Sequence, residues 1–208
     1  MTEDTPPATK GRTVTIAVAV LVLLVGAVLV ALTAFRPGDP GTGDPEAGFA
    51  RDMSTHHAQA VRMSFIVRDG TDDAEVRLLA YDIINTQSAQ IGMMTAWLDE
   101  WGLPKTDPAG PMRWMSGHGG HQGATAMPGM ATRDQLAELE RASGRAAEVQ
   151  YLRLMVAHHR GGVAMAEAVL ARTGHDRVRS LARTMVTGQN AEIAQMNRML
   201  RQRGGTAV

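Results

Sequence analysis

Cysteine is absent from the 208-residue chain, and with it go disulfides, thiolate zinc sites, iron–sulfur clusters and any lipidated cysteine. A soft metal site must therefore take its sulfur from methionine, of which there are 14. Aromatic residues are scarce at 4%, and acidic and basic residues balance at 21 each. The chain thus lacks both the stacking platforms and the basic excess of a nucleic-acid binder, so no nucleic-acid partner is expected. Its length suits a membrane anchor plus one domain of ordinary size.

Charge is missing from the stretch Thr13 to Phe35, "TVTIAVAVLVLLVGAVLVALTAF", and about 20 such residues span a hydrocarbon core as a helix. Lys10 and Arg12 precede the run, and only Arg36 follows closely. The bias places residues 1–12 in the cytoplasm, residues 13–35 across a cell membrane in a single pass, and the rest outside. The alternative is a cleaved signal peptide and a secreted domain, but a signal's apolar stretch is typically about 7 to 15 residues and "LTA" at Leu32 to Ala34 is a poor cleavage site. Residues 36–48, "RPGDPGTGDPEAG", are rich in Gly and Pro and read as a linker that holds no helix.

Beyond the linker the chain repeats itself. An offset of 102 residues, from His56 to His158, aligns residues 49–102 with 151–204 without a gap. Met53/Met155, His56/His158, His57/His159, Met63/Met165, Gln87/Gln189, Met94/Met196 and Gly102/Gly204 are among the identities. Such a repeat means one supersecondary unit made twice, neither copy burying its apolar face alone. Within each unit apolar residues recur at three and four positions, as in Val76, Leu79, Ala80, Ile83, Ile91, Met94 and Leu98, and no strand-like alternation intrudes. Asp72 with Glu75 reads as the cap of a second helix, and Gly102, Gly174 and Gly204 as helix stops. Thr132 with Gln135 is a capping box opening a short helix ahead of the second unit, within residues 132–204. The fold class is therefore all-α: a four-helix bundle of two repeated helical hairpins.

On a helix turning about 100° per residue, Met53, His56, His57 and Met63 share one arc of about 120°, and the repeat carries this to Met155, His158, His159 and Met165. Phe49, Ala60 and Val67 fall on the same arc, which therefore faces the core. If two such faces meet across a twofold bundle, four imidazoles and four thioethers gather in a small volume. Imidazole and thioether suit Cu(I), with silver as its mimic, whereas Mg and Ca want oxygen. No Glu lies three residues before any His, so the Glu-x-x-His pairs of a di-iron bundle are missing. Gln189 with Glu192, matched by Gln87 with Gln90, are candidates to bond the second nitrogen of a ligand histidine. The plainer readings are methionine as core filler and histidine as a buried hydrogen-bonding group.

Residues 103–131 form the crossover, in which Met112, Met115, His118, His121, Met127 and Met130 recur among glycines. They read as a second, metal-capturing loop, against the alternative of a disordered linker. Gly161 and Gly162 stand mid-helix where the first unit has Gln59 and Ala60. Each costs about 1 kcal/mol relative to Ala, which a close approach or ligand access would explain. Seven arginines from Arg172 onward read as a solvated helix face.

The second unit resembles the family of bacterial exported proteins known as domain of unknown function 305. "MPGM" at Met127 to Met130, "YLRLMVAHHRGGVAMA" and "TGQNAEIAQM" are similar to its methionine-rich lead-in, its M-x-x-HH-x5-M helix and its Q-x-x-EI-x-x-M helix. The first unit, ending "TAWLDEWG", is similar from Phe49 to Gly102. The resemblance implies a ferritin-like helical bundle linked to copper or silver handling, with the two His pairs and their four methionines as ligands. The family's glutamate stands as Glu192 in the second unit but as Gln90 in the first, which sets the halves apart.

The reading is a membrane-anchored, extracytoplasmic copper-binding protein that buffers the ion or passes it to a receiving protein. It is not an enzyme in this reading, since no general base, nucleophile or substrate pocket stands out. An accessory module docking on a membrane protein complex is the first alternative, and a metal-dependent redox enzyme the weakest.

Overall fold

The computed structural model describes residues 15, 16, 18–26, 38–115 and 127–208. Residues 1–39 and 40–208 form separate compact units. In the first, residues 15, 16 and 18–26 are helical and exposed. Among the described residues no helix is long and apolar enough to cross a membrane; the anchor expected over residues 13–35 lies partly outside them.

The second unit is built from helices, with no strand among the described residues. In chain order they are α1 Pro45–Gly70, α2 Ala74–Glu100, a 3-10 turn Arg113–Met115, α3 Arg133–Arg141, α4 Gly144–Leu170 and α5 Asp176–Gln202. Helix α1 starts inside the stretch expected to hold no helix. Pro45 occupies its first turn behind Asp44, where a missing N–H costs nothing and the fixed φ already suits the helix. The cap of α2 is Asp73 rather than Asp72: its carboxylate accepts from the backbone N–H groups of Glu75 and Val76. Thr132 and Gln135 form the expected capping box of α3. Gly102 and Gly204 stop α2 and α5 at positive φ, 65° and 72°. In each case the next N–H returns to the carbonyl five residues back, Leu103 to Leu98 at 2.8 Å and Gly205 to Leu200 at 2.9 Å, a Schellman closure. Gly174, in contrast, stays outside the left-handed region, and α4 has already ended at Leu170.

Helices α1 and α2 pack as one hairpin and α4 and α5 as the other; the hairpins meet chiefly through α1 against α4, while α2 and α5 barely touch. The repeat extends to single hydrogen bonds. Thr71 donates to Glu148 at 2.8 Å, and its counterpart Thr173 donates to Glu46 at 2.6 Å, so each hairpin turn is tied to the start of the other hairpin. The apolar core falls into two clusters. One gathers Met63, Val67, Leu79 and Ile83 with Tyr151, Leu152 and Met155. The other gathers Phe49, Met53, Met94 and Leu98 with Met165, Val169 and Met185. Burying such side chains contributes about 1.5–3 kcal/mol each.

One end departs from the symmetry. Arg203, read as part of a solvated face, has a side chain only 3% exposed that reaches Asp73 at 2.7 Å, Glu148 at 2.8 Å and Glu75 at 3.4 Å. Its counterpart in the repeat is Trp101, whose ring lies 5.5 Å from that of His175.

Candidate metal centre

Between the two apolar clusters lies a layer of four buried histidines, each at most 1% exposed. His56 and His158 come from equivalent positions of α1 and α4 and lie against each other, ring centroids 3.7 Å apart and planes tilted by 33°. His57 and His159 form a second tier, 6.4 Å from His56 and 6.3 Å from His158 respectively. The four methionines of the motif are fully buried around this layer. Met53 and Met165 belong to the cluster on one side, Met63 and Met155 to that on the other.

Each tier is held from a different side. His56 Nε2 donates to the Pro128 carbonyl at 3.0 Å. His57 Nε2 donates to Gln90 Oε1 at 2.7 Å, and His159 Nε2 donates to Glu192 Oε2 at 2.6 Å. The imidazole partners are thus Gln90 and Glu192, not Gln87 and Gln189. The hairpin register sets residue 90 opposite 57 and residue 192 opposite 159, which leaves Gln87 and Gln189 one turn away with side-chain oxygens that bond to nothing.

A donor Nε2–H leaves the lone pair on Nδ1. The Nδ1 atoms of His56, His57 and His159 are buried and unpartnered, as is Nε2 of His158. Burial pushes the His56 imidazole down to about 4, against the opposing pull of the Pro128 carbonyl, and the His57 imidazole down to about 3, with His56 adding to the effect. Burial and then the neighbouring imidazoles take His158 well below its ordinary range. These three rings are therefore neutral at physiological pH, the form that binds metal. Among the described residues no three His, Asp or Glu side chains converge as a ready-made metal cage. The donor set is aromatic nitrogen flanked by thioether, which suits a soft cation of low coordination number better than zinc or iron.

The crossover supplies a strap across the His56–His158 pair. Residues 127–131 run over α1 and α4, and Gln59 holds Ala131 by both edges, donating to its carbonyl at 2.9 Å and accepting from its N–H at 2.7 Å. A Cβ at Gly161 would collide with the Pro128 carbonyl, and one at Gly129, φ 76°, with the Ala157 carbonyl. A Cβ at Gly162 would collide with the Gln189 amide. The paired glycines of α4 are thus explained by close approach, one to the strap and one to α5. Met127 and Met130 are half-buried in this strap. Met112 is buried, and both it and Met115 pack with the second apolar cluster; His118 and His121 lie outside the described residues. Gln59, Gly129 and Pro128 escaped the sequence reading. The unmatched pair Gln59 and Gly161, at one repeat position, was the available signal.

The model of the family described as Domain of unknown function (DUF305) matches residues 46–200. The chain belongs to this family. A DUF305 protein from Streptomyces coelicolor, described as a secreted protein, is 49% identical over 81% of this chain and 99% of its own, with a TM-score of 0.75. A DUF305 fragment from Deinococcus radiodurans is 35% identical over 76% of this chain and 96% of its own, TM-score 0.64. CopM in its Cu(II)-bound form is 27% identical over 76% of this chain and 97% of its own, TM-score 0.57; CopM is also known in Cu(I)- and Ag-bound forms. Among the curated proteins none matches the chain.

Proposed function

We propose that this DUF305 protein binds copper in the histidine layer, Cu(I) by preference with silver as its mimic, and buffers the ion or hands it to a receiving protein outside the cytoplasm. The observation that carries this reading is the set of buried Nδ1 lone pairs on His56, His57 and His159, each ring oriented through its other nitrogen by a fixed acceptor. Imidazoles that only served the fold would lose free energy by leaving a second nitrogen buried without a partner. Ligand histidines are held in this way by carbonyls and carboxylates. The four flanking methionines supply softer donors, and Met127 and Met130 of the strap extend them toward solvent. CopM, of the same fold, adds support from copper- and silver-bound forms. In this reading the apolar N-terminal run tethers the domain to the bacterial membrane, and the protein binds its ion without catalysing a reaction.

The test is a Cu(I) titration of the full chain under a competing chelator, with Zn(II) as control. Saturable, tight uptake of Cu(I) with weak uptake of Zn(II) is the expected result. The His56→Ala, His158→Ala double variant should lose at least about 100-fold in affinity at unchanged helix content by circular dichroism. Undiminished affinity in that variant would remove the histidine layer from the site.

A further inference from the structure

The duplication that carries the histidines does not carry the charge. Residues 49–102 hold eight acidic side chains against four arginines, whereas the aligned residues 151–204 hold nine arginines against three acidic side chains. The balance of the whole chain therefore hides two halves of opposite sign. On the second helix of each hairpin the change is a reversal: Glu75 of α2 stands where α5 has Arg177, and Asp99 where it has Arg201. The first repeat also exposes Leu78 and Tyr81, at 61% and 56%, where the second has Ser180 and Arg183.

Helices α2 and α5 run antiparallel. Arg177 at the start of α5 pairs with Glu100 at the end of α2 at 2.7 Å, and Arg203 just past the end of α5 pairs with Glu75 at the start of α2 at 3.4 Å. Each helix keeps an exposed outer stripe with a small-residue middle, Ala89 and Gly92 on α2, Ala191 and Ala194 on α5. The ends of the stripes are charged and exposed: Glu75, Asp82 and Asp99 on α2, Arg183, Arg198 and Arg201 on α5. A Cβ at Gly92 would meet nothing within 4 Å, so no contact inside the chain calls for a poor helix former in mid-helix.

Such a surface is its own complement. A twofold axis lying between two copies and parallel to the helices sets α2 of each copy on α5 of the other, antiparallel, in a closed pair. The Asp82 end of α2 then meets the Arg198 and Arg201 end of α5, and Asp99 faces the start of α5, where Arg183 stands. An axis across the helices would instead set α2 on α2 and α5 on α5, like charge on like, which disfavours that arrangement. Each helix has 27 residues and is about 40 Å long. Two of them side by side, about 10 Å wide each, offer roughly 800 Å² per copy, the size of a standard stable interface.

We propose that the outer face of α2 and α5 is a docking surface for a second copy of this chain, paired reciprocally with α2 on α5. The pairing does not depend on copper binding. The full chain is held in neutral detergent, and its mass is followed by sedimentation equilibrium over a range of concentrations at low and at high salt. A monomer–dimer equilibrium is expected, with a dissociation constant that rises by about tenfold or more at high salt. Asp82→Arg and Arg198→Asp each reverse one exposed charge, and in a symmetric pair each acts twice, so each should weaken association by about tenfold or more. The double variant exchanges the two charges and should return to within about threefold of the unmodified chain, a rescue that a misfolded variant would not show. Three results would overturn the proposal: a chain that stays monomeric at every concentration, single variants that weaken association without rescue in the double, or a dimer indifferent to all of these substitutions. In the first case, binding of the monomer to anionic but not to neutral vesicles would give the arginine face to lipid headgroups; in the last, the apolar N-terminal run would be the place of association.

Discussion

The two repeats present the same His-His pair on the same helix position, yet the first backs its inner imidazole with an amide, Gln90, and the second with a carboxylate, Glu192. The ends of the bundle differ in the same spirit. Where the second repeat places Arg203 among three carboxylates, the first places Trp101 against His175. Backbone and packing obey the duplication while charge does not. The lesson is that a near-symmetric scaffold still sets its two histidine pairs in unequal surroundings, one beside an amide and the other beside a carboxylate.

The largest effect expected is on the end that has the ions. Arg203→Met leaves Glu148, 5% exposed, with only the longer 3.7 Å pairing to Arg145, and should lower stability by about 3 kcal/mol, read as a fall in denaturant midpoint at constant m-value. A loss no greater than that of the exposed Arg201→Met would show that the contrast between the ends carries no stability.

Acid should act through the histidine layer next. His56 and His57 have folded values of about 4 and about 3, below the ordinary 6.5 of an unfolded chain. The unfolded state therefore takes up protons first as pH falls. The metal-free protein keeps its full stability above about pH 6.5 and loses about 1.4 kcal/mol per pH unit for each group between there and the folded values. Denaturation series from pH 7.5 to 5 should show this slope, and His57→Gln should reduce it by one group's share. A flat wild-type profile would mean that the layer is not buried and neutral.

The smallest effect sharpens the comparison most. Glu192→Gln makes the halves alike and should weaken Cu(I) binding by about tenfold, the lower range for a lost partner of a ligand histidine; Gln90→Glu should strengthen it by a similar factor. Equal affinities across all three proteins would reduce the carboxylate to an ordinary hydrogen-bond acceptor.

Much of this fold was legible because duplication doubles every signal. The offset of the repeat, the helical period and the Thr132–Gln135 box led directly to two hairpins and a short connecting helix, and the helical arc brought the four histidines and four methionines into one buried region. What stayed hidden depended on register or on backbone. Whether Gln87 or Gln90 meets His57 is a matter of how two helices align, which composition does not encode. The strap's grip on His56 runs through a proline carbonyl, a group that every residue carries and no motif marks. Arg203 looked like part of a solvated run because its three carboxylate partners are far away in sequence. The start of α1 was misplaced because proline was read as a breaker and not as a first-turn residue.

The strap has a consequence for how the gene diverged. After a duplication both copies are free to drift together, but a single stretch of chain laid across the line that exchanges them has only one direction and no mirror mate. It asks for different things on its two flanks: an amide to grip Ala131 at residue 59, and bare backbone to admit Pro128 at residue 161. With the crossover laid there, the two copies of that position are not interchangeable, and swapping Gln59 with Gly161 would place a side chain where the strap must lie.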